Sequence, residues 1–227
     1  MENFSIISLG GSLIYPEGGI DTKFLSEFRK LILDFVSNGK RFIIVCGGGA
    51  ICRHYQNAAS EISEISPDDI DWLGIHSTHL NAQLVRTIFR EHAHLKIITH
   101  FTEKEEVVEP VAIAAGWRPG HSTDYDAIML AKTYGAGTVV NLSNVEKVYD
   151  KDPKKFADAK PIAKISWGEF RKIVGETWTP GLSAPFDPIA SKEAQESGIK
   201  VVIMNGKGLA NFKNFLEGKE FIGTEIS

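Results

Sequence analysis

A run of β-branched and aromatic residues that ends abruptly in three glycines constrains this chain more than any other feature. Phe42-Ile43-Ile44-Val45-Cys46 is apolar throughout, Gly47-Gly48-Gly49 follows, and Ala50-Ile51-Cys52-Arg53 is compatible with helix. The pattern predicts a buried strand, a tight turn and a helix N-terminus. Glycines in the turn let backbone N–H groups approach an anion with no Cβ in the way. The helix that follows directs the positive end of its dipole at the same spot. Arg53 comes about one turn into that helix, on a face that reaches an anion held there. Taken alone, the turn is equally compatible with a strand-to-helix connection that binds nothing.

Spacing separates this turn from better-known phosphate motifs. Neither a G-x-x-x-x-G-K-[ST] loop nor a G-x-G-x-x-G fingerprint occurs. Weight comes instead from a second glycine turn, Gly10-Gly11-Ser12, at the end of the first apolar run, Phe4–Leu9. Two such turns at the carboxyl ends of parallel strands lie on the edge where open α/β sheets bind ligands.

At 227 residues the chain is long enough for one large α/β domain or one domain of two lobes. A net charge of −4 argues against a nucleic-acid surface. No basic leader precedes the first strand, and no apolar run approaches the roughly 18 residues of a membrane span, so a cytoplasmic location is expected. Cys46 and Cys52 are expected to be reduced core residues. The histidines His76, His79, His92, His94 and His100 are scattered around a helix and a loop, and no metal site is expected from them.

Helical spacing predicts Thr22–Asn38, capped by Asp21, with Phe24, Phe28, Leu31, Ile32 and Phe35 on one face. Further helices are expected at 50–59, 72–92, 125–134, 165–174, 189–197 and 209–216. Strands are expected at 4–9, 41–45, 95–98, 111–115, 138–142 and 201–204. The acidic stretch 61–71 reads as a loop, as do 144–153 and 179–188, and Lys154-Lys155 reads as a solvated turn. The long helix from Trp72 is a candidate for packing against a partner subunit. Trp72 and Trp178 fit core or interface alike. The alternation of strands and helices implies parallel strands with right-handed crossovers, and a break falls near Pro119.

Four motifs in order then resemble the amino acid kinase superfamily. They are Ser8-Leu9-Gly10-Gly11-Ser12; Gly47-Gly48-Gly49 followed by Arg53; Arg118-Pro119-Gly120-His121-Ser122-Thr123-Asp124; and Ser143-Asn144-Val145 leading to Tyr149-Asp150-Lys151-Asp152-Pro153. Within that superfamily the chain is most similar to the archaeal-type UMP kinases, nearly end to end. The resemblance implies a three-layer αβα sandwich with a central, mainly parallel eight-stranded sheet. It implies phosphoryl transfer from ATP to UMP with Mg²⁺ held mainly by phosphates and water. It also implies an acceptor lobe at 1–118, an ATP lobe at 119–227, and a hexamer built as a trimer of dimers.

Carried over by resemblance, Gly11, Ser12 and Arg53 would flank the transferring group. Gly48, Asp71, Arg118, Gly120, His121, Ser122, Thr123 and Asp124 would contact UMP. Gly10, Gly49, Ser143, Tyr149 and Asp152, with Gly11, Ser12 and Arg53, would contact ATP. Five positions depart from the superfamily pattern: Ser8 and Asp187 stand where lysines are common, Glu146-Lys147 replaces Asp-Gly, and Arg118 replaces a histidine. The alternatives left open are a kinase of another small phosphate or phosphonate acceptor and a non-catalytic nucleotide- or oxyanion-binding storage protein.

Overall fold

The computed structural model describes residues 4–153, 155–177 and 184–227. Lys154, Trp178 and residues 179–183 of the expected 179–188 loop lie outside the described residues.

Strand β1 (Ser5–Leu9) runs into a short helix, α1 (Gly11–Ile14). Helix α2 (Thr22–Val36), strand β2 (Phe42–Cys46) and helix α3 (Gly49–Ile62) follow. Helix α4 (Pro67–Phe89) leads to β3 (Val111–Ala114), α5 (Thr123–Tyr134) and β4 (Thr138–Ser143). A ribbon of β5 (Val148–Tyr149) and β6 (Pro161–Ile162) precedes β7 (Lys164–Ile165) and α6 (Trp167–Val174). The chain closes with α7 (Pro188–Ser197), β8 (Lys200–Asn205), α8 (Leu209–Leu216) and β9 (Thr224–Ile226).

Among the described residues the main sheet has seven strands in the order β3-β2-β1-β4-β8-β9-β7. All pairs are parallel except β8 with β9. The strand expected at Leu95–Ile98 is instead two isolated parallel bridges, Ala93 to Val111 and Ile98 to Ala114, along the outer edge of β3. Sequence reasoning missed β9, which is too short and polar to announce itself.

Period-two alternation sorts the strands into two cores. Ile6, Ile43, Val139 and Val201 face α5, α6 and α7 on one side. Ile7, Ile44, Val140 and Val202 face α2, α4 and α8 on the other. Both faces are covered, which is why these strands read as unbroken apolar runs. The mainly parallel sheet between two helical layers is the architecture expected.

Helix α4 begins at Pro67, five residues earlier than its apolar spacing indicates. Ser66 accepts a hydrogen bond from the Asp69 amide, Pro67 occupies the first turn, and Asp68 and Asp69 sit at the positive end of the dipole. The stretch read as an acidic loop is therefore mostly helical, the end of α3 and the first turn of α4 with 63–66 between them, and Asp71 is a helical residue.

Candidate active site

The two glycine turns touch backbone to backbone. A Cβ on Gly11 would meet the Gly49 nitrogen at 2.1 Å and the Gly47 carbonyl carbon at 2.5 Å. Gly49 has φ +73°, and a Cβ there would meet the Gly11 oxygen at 2.4 Å. No L side chain fits either place. Backbone bonds complete the contact: Gly47 N–H donates to Leu9 O, and Ala50 N–H to Tyr15 O. From α4, buried Asn81 donates through Nδ2 to both Gly47 O (2.8 Å) and Gly48 O (2.9 Å). The turns sit beside the point where strand order reverses, since the chain leaves β1 for β2 on one side and returns to β4 on the other.

A cavity of about 600 Å³ opens at this carboxyl edge. Helix α3 enters its wall with no side-chain cap and no acid in its first turn. Arg53 is half-exposed there, and Glu17 from the loop after α1 holds its guanidinium at 2.6 Å. His54 reaches the same carboxylate at 3.2 Å.

The opposite wall is acidic. Ser122 caps α5, accepting from the Asp124 amide. Asp124 Oδ1 accepts from Asn141 Nδ2 (2.7 Å) and Ser8 Oγ (3.2 Å), and its Oδ2 accepts from the Asp187 amide (3.3 Å). Asp187 in turn accepts from the Ser122 hydroxyl (2.6 Å) and amide, and from the Ile189 and Ala190 amides that begin α7. Ser8 and Asp187 thus both bond to Asp124. Burial pushes the Asp124 carboxyl up to about 7, the negative charge of Asp187 adds to this, and the bonds from Ser8 and Asn141 only partly oppose it.

Between these walls lies the segment Gly116–His121. Arg118 stacks over the Trp117 ring at 4.3 Å. The Gly116 amide donates to Thr78 Oγ1, and the Gly120 amide donates to Asp71 Oδ2 (2.9 Å), tying the segment to α4. Burial raises the Asp71 carboxyl, with the Gly120 bond opposing. His121 packs on Tyr125 with ring centres 4.3 Å apart. Its Nδ1 lies 3.5 Å from Asp126 Oδ1. Burial first, and the Arg118 charge second, hold the imidazole below its ordinary range, while burial holds Asp126 well above its own.

Most residues singled out from sequence line the one cavity. Gly10, Gly11, Ser12, Gly48, Gly49 and Arg53 come from the glycine-turn side; Asp71, Arg118, His121, Ser122, Thr123 and Asp124 from the far side; and Ser143 from the end of β4. Gly120 acts behind the lining, through its bond to Asp71. Tyr149 is on β5 and Asp152 follows it, and neither is among the lining residues. Cys52, expected in the core, is partly exposed on the cavity wall, although Cys46 is buried; both are free thiols. Sequence reasoning missed Asn81, Asn141, Asp126 and Glu17. Asn81 and Asn141 carry a readable signal, because each is an amide within an otherwise apolar helix face or strand.

Such a cleft, lined by glycine backbone at the switch point of a parallel sheet, defines an α/β protein suited to holding anionic ligands. The profile of the amino acid kinase family matches residues 3–205, and the chain belongs to that family. The uridylate kinase of Sulfolobus acidocaldarius is 34% identical over 207 residues, covering 89% of this chain and 90% of that protein. The uridylate kinase of Pyrococcus abyssi is 33% identical over 217 residues, covering 94% and 95%. The crystal structure of uridylate kinase from Archaeoglobus fulgidus matches with a TM-score of 0.81 at 31% identity, over 99% of this chain and 100% of that one.

Proposed function

We propose that this chain is a UMP kinase, transferring the γ-phosphate of ATP to UMP to give ADP and UDP for pyrimidine nucleotide synthesis. One observation carries the reading: two glycine turns pressed together at the sheet's switch point share a single cavity with the Arg118–Asp124 segment. The amides of those turns and the open end of α3 supply fixed donors where phosphates would meet.

Phosphoryl transfer of this kind needs alignment and charge neutralisation more than a protein nucleophile. The phosphate of UMP, with a second pKa of about 6, is already mostly dianionic at neutral pH. A catalytic base is therefore unnecessary. In this reading 1–118 is the acceptor lobe and 119–227 the ATP lobe, the first residues of the ATP lobe also reaching UMP, and the γ-phosphate lies over Gly11 and Ser12 with Arg53 alongside. Arg53 leaves Glu17 for the phosphates when the nucleotides bind. Arg118, His121, Ser122, Thr123 and Asp124 contact the acceptor, and Ser143, Tyr149 and Asp152 the ATP nucleoside. The carboxylates at the far wall already accept protein hydrogen bonds, which fits Mg²⁺ held by phosphate oxygens and water. When bound, the metal would supply positive charge that offsets the phosphates.

We further infer a homo-oligomer, a hexamer built as a trimer of dimers, in the cytoplasm. The support is exposed apolar surface on neighbouring helices: Tyr55 and Ile62 on α3, Trp72 and Leu80 on α4.

A coupled ADP-release assay with UMP, CMP, AMP and isopentenyl phosphate tests the activity. Turnover with UMP alone is expected. Turnover with another acceptor only, or ATP binding with no turnover, would replace this reading by one of the alternatives.

A further inference from the structure

Two side chains in the cavity wall hold polar atoms with no hydrogen-bond partner, although the Asp126 carboxyl also takes a bond from the Trp117 backbone. His121 Nδ1 and Nε2 and Asp126 Oδ1 are buried and make no hydrogen bond. Their side chains are 9% and 2% exposed, and both residues border the cavity. Nδ1 and Oδ1 stand 3.5 Å apart, so a movement of roughly half an ångström makes the bond. Buried polar atoms are nearly always satisfied, and a pair left open beside a ligand cavity calls for a group that arrives with the ligand.

The geometry points to a proton-sharing couple: one proton resides on Asp126 in the empty cleft and moves to His121 when the acceptor's phosphate arrives. This deepens the UMP kinase reading and rests on it. In the empty state Asp126 Oδ1 carries the proton and faces an unprotonated Nδ1, while the imidazole keeps its hydrogen on Nε2. When the phosphate dianion enters, the Oδ1–H bond breaks and the Nδ1–H bond forms. Asp126 becomes a carboxylate, and the imidazolium donates Nε2–H to a phosphate oxygen. No proton crosses from solvent.

The sense of the transfer follows from the surroundings. A neutral couple is cheaper to bury than an ion pair, until a third charge stabilises the cation. The low-lying imidazole and high-lying carboxyl fit the neutral couple in the empty site. The other groups facing the couple are Arg118, Asp187 from the start of α7, and Asp124 and Tyr125 on α5. Asp71 and His79 on α4 hold the neighbouring backbone, and His100 meets the far edge of Trp117. Among these, Arg118 is the permanent cation, so the transfer adds a second positive charge on this wall of the cavity, opposite Arg53. Asp126 is a positioning residue, acting through His121.

The test is nitrogen NMR on the full chain labelled selectively at histidine, free and with saturating UMP near neutral pH. His121 should pass from the neutral Nε2–H form to imidazolium. Calorimetry of UMP binding in two buffers of different ionisation enthalpy should register no net proton uptake. In Asp126→Asn the imidazole should stay neutral in the complex and UMP should bind about tenfold more weakly, with the circular-dichroism melt retained. His121→Gln should weaken UMP by a similar factor. Should Asp126→Asn fail to fold, the parent spectra decide alone. An imidazole that is neutral in the complex, or already cationic without UMP, would overturn the inference, as would proton uptake from buffer. UMP that fails to bind overturns this inference and the proposed function together; UMP bound beside an unchanged imidazole overturns only the inference.

Discussion

Helices α3 and α5 both start at the carboxyl edge of the sheet and both border the cavity, yet their first turns are used in opposite ways. The first turn of α3 has no acid and no capping side chain, so its amides and dipole are open to a ligand. The first turn of α5 carries Asp124 and Asp126 under a Ser122 cap, and Asp187 accepts from the Ser122 amide. Here the chain's own carboxylates take the place a phosphate would occupy. A helix N-terminus is an anion site only when its own sequence leaves it unfilled. The α5 wall is left to act through side chains: Arg118, the hydroxyls, and the His121–Asp126 couple.

The comparison breaks most readily on the α3 side. Gly49→Ala places a Cβ 2.4 Å from the Gly11 oxygen at a positive φ. Stability should fall by about 2–4 kcal/mol in urea unfolding, and turnover should be lost. Gly18→Ala, where nothing lies within 4 Å, is the control and should change neither. Next in size is Arg53→Ala, which should lower kcat by about a hundredfold or more, on the order of 3 kcal/mol of charge stabilisation. Unchanged turnover would remove Arg53 from the mechanism and leave α3 with backbone donors alone.

The α5 side is sharpened by pH. Asp124 titrates at about 7 in the folded chain against an ordinary 3.8. Between those values the folded state holds the extra proton, so the contribution is stabilising at low pH and is lost as pH rises through 7. The parent should therefore lose stability from pH 5 to 8, by an amount on the order of 3 kcal/mol if this group acts alone. In Asp124→Asn the fall of the urea midpoint over the same range should be shallower by this amount, the share due to the raised Asp126 carboxyl remaining; an unchanged slope would mean that Asp124 contributes nothing to it. The smallest effect is expected from Glu17→Gln. Its pair with Arg53 is solvent-exposed, so the unfolding midpoint should stay put, while KM for the nucleotides should fall by about twofold as Arg53 is released. A rise in KM would make Glu17 an aid to Arg53 rather than a competitor.

Much of this was legible in the sequence because backbone needs are written locally. Glycine pairs after apolar runs placed both turns, and Asp21, Ser122 and Asp187 cap the helices they precede. The α4 start was misplaced because Ser66-Pro67-Asp68-Asp69 carries a cap signal but no apolar period. Contacts between distant segments were not legible. Nothing near Asn81 announces a carbonyl 34 residues upstream, and nothing near Ser8 announces Asp124 116 residues on. The His121–Asp126 couple stayed hidden because an acid in a first helical turn already has an ordinary explanation.

Strand β1 sits in mid-sheet, with β2 on one side and β4 on the other. Ile6 pairs with Ile43 in the first case and with Val139 in the second. During folding one margin of β1 can be zipped early, whereas the other must wait for a segment more than a hundred residues later. Until then one backbone edge of a mostly apolar strand stands unpaired, a template for any passing chain. Refolding yield should therefore depend steeply on protein concentration, with intermolecular association competing at that margin before β4 docks.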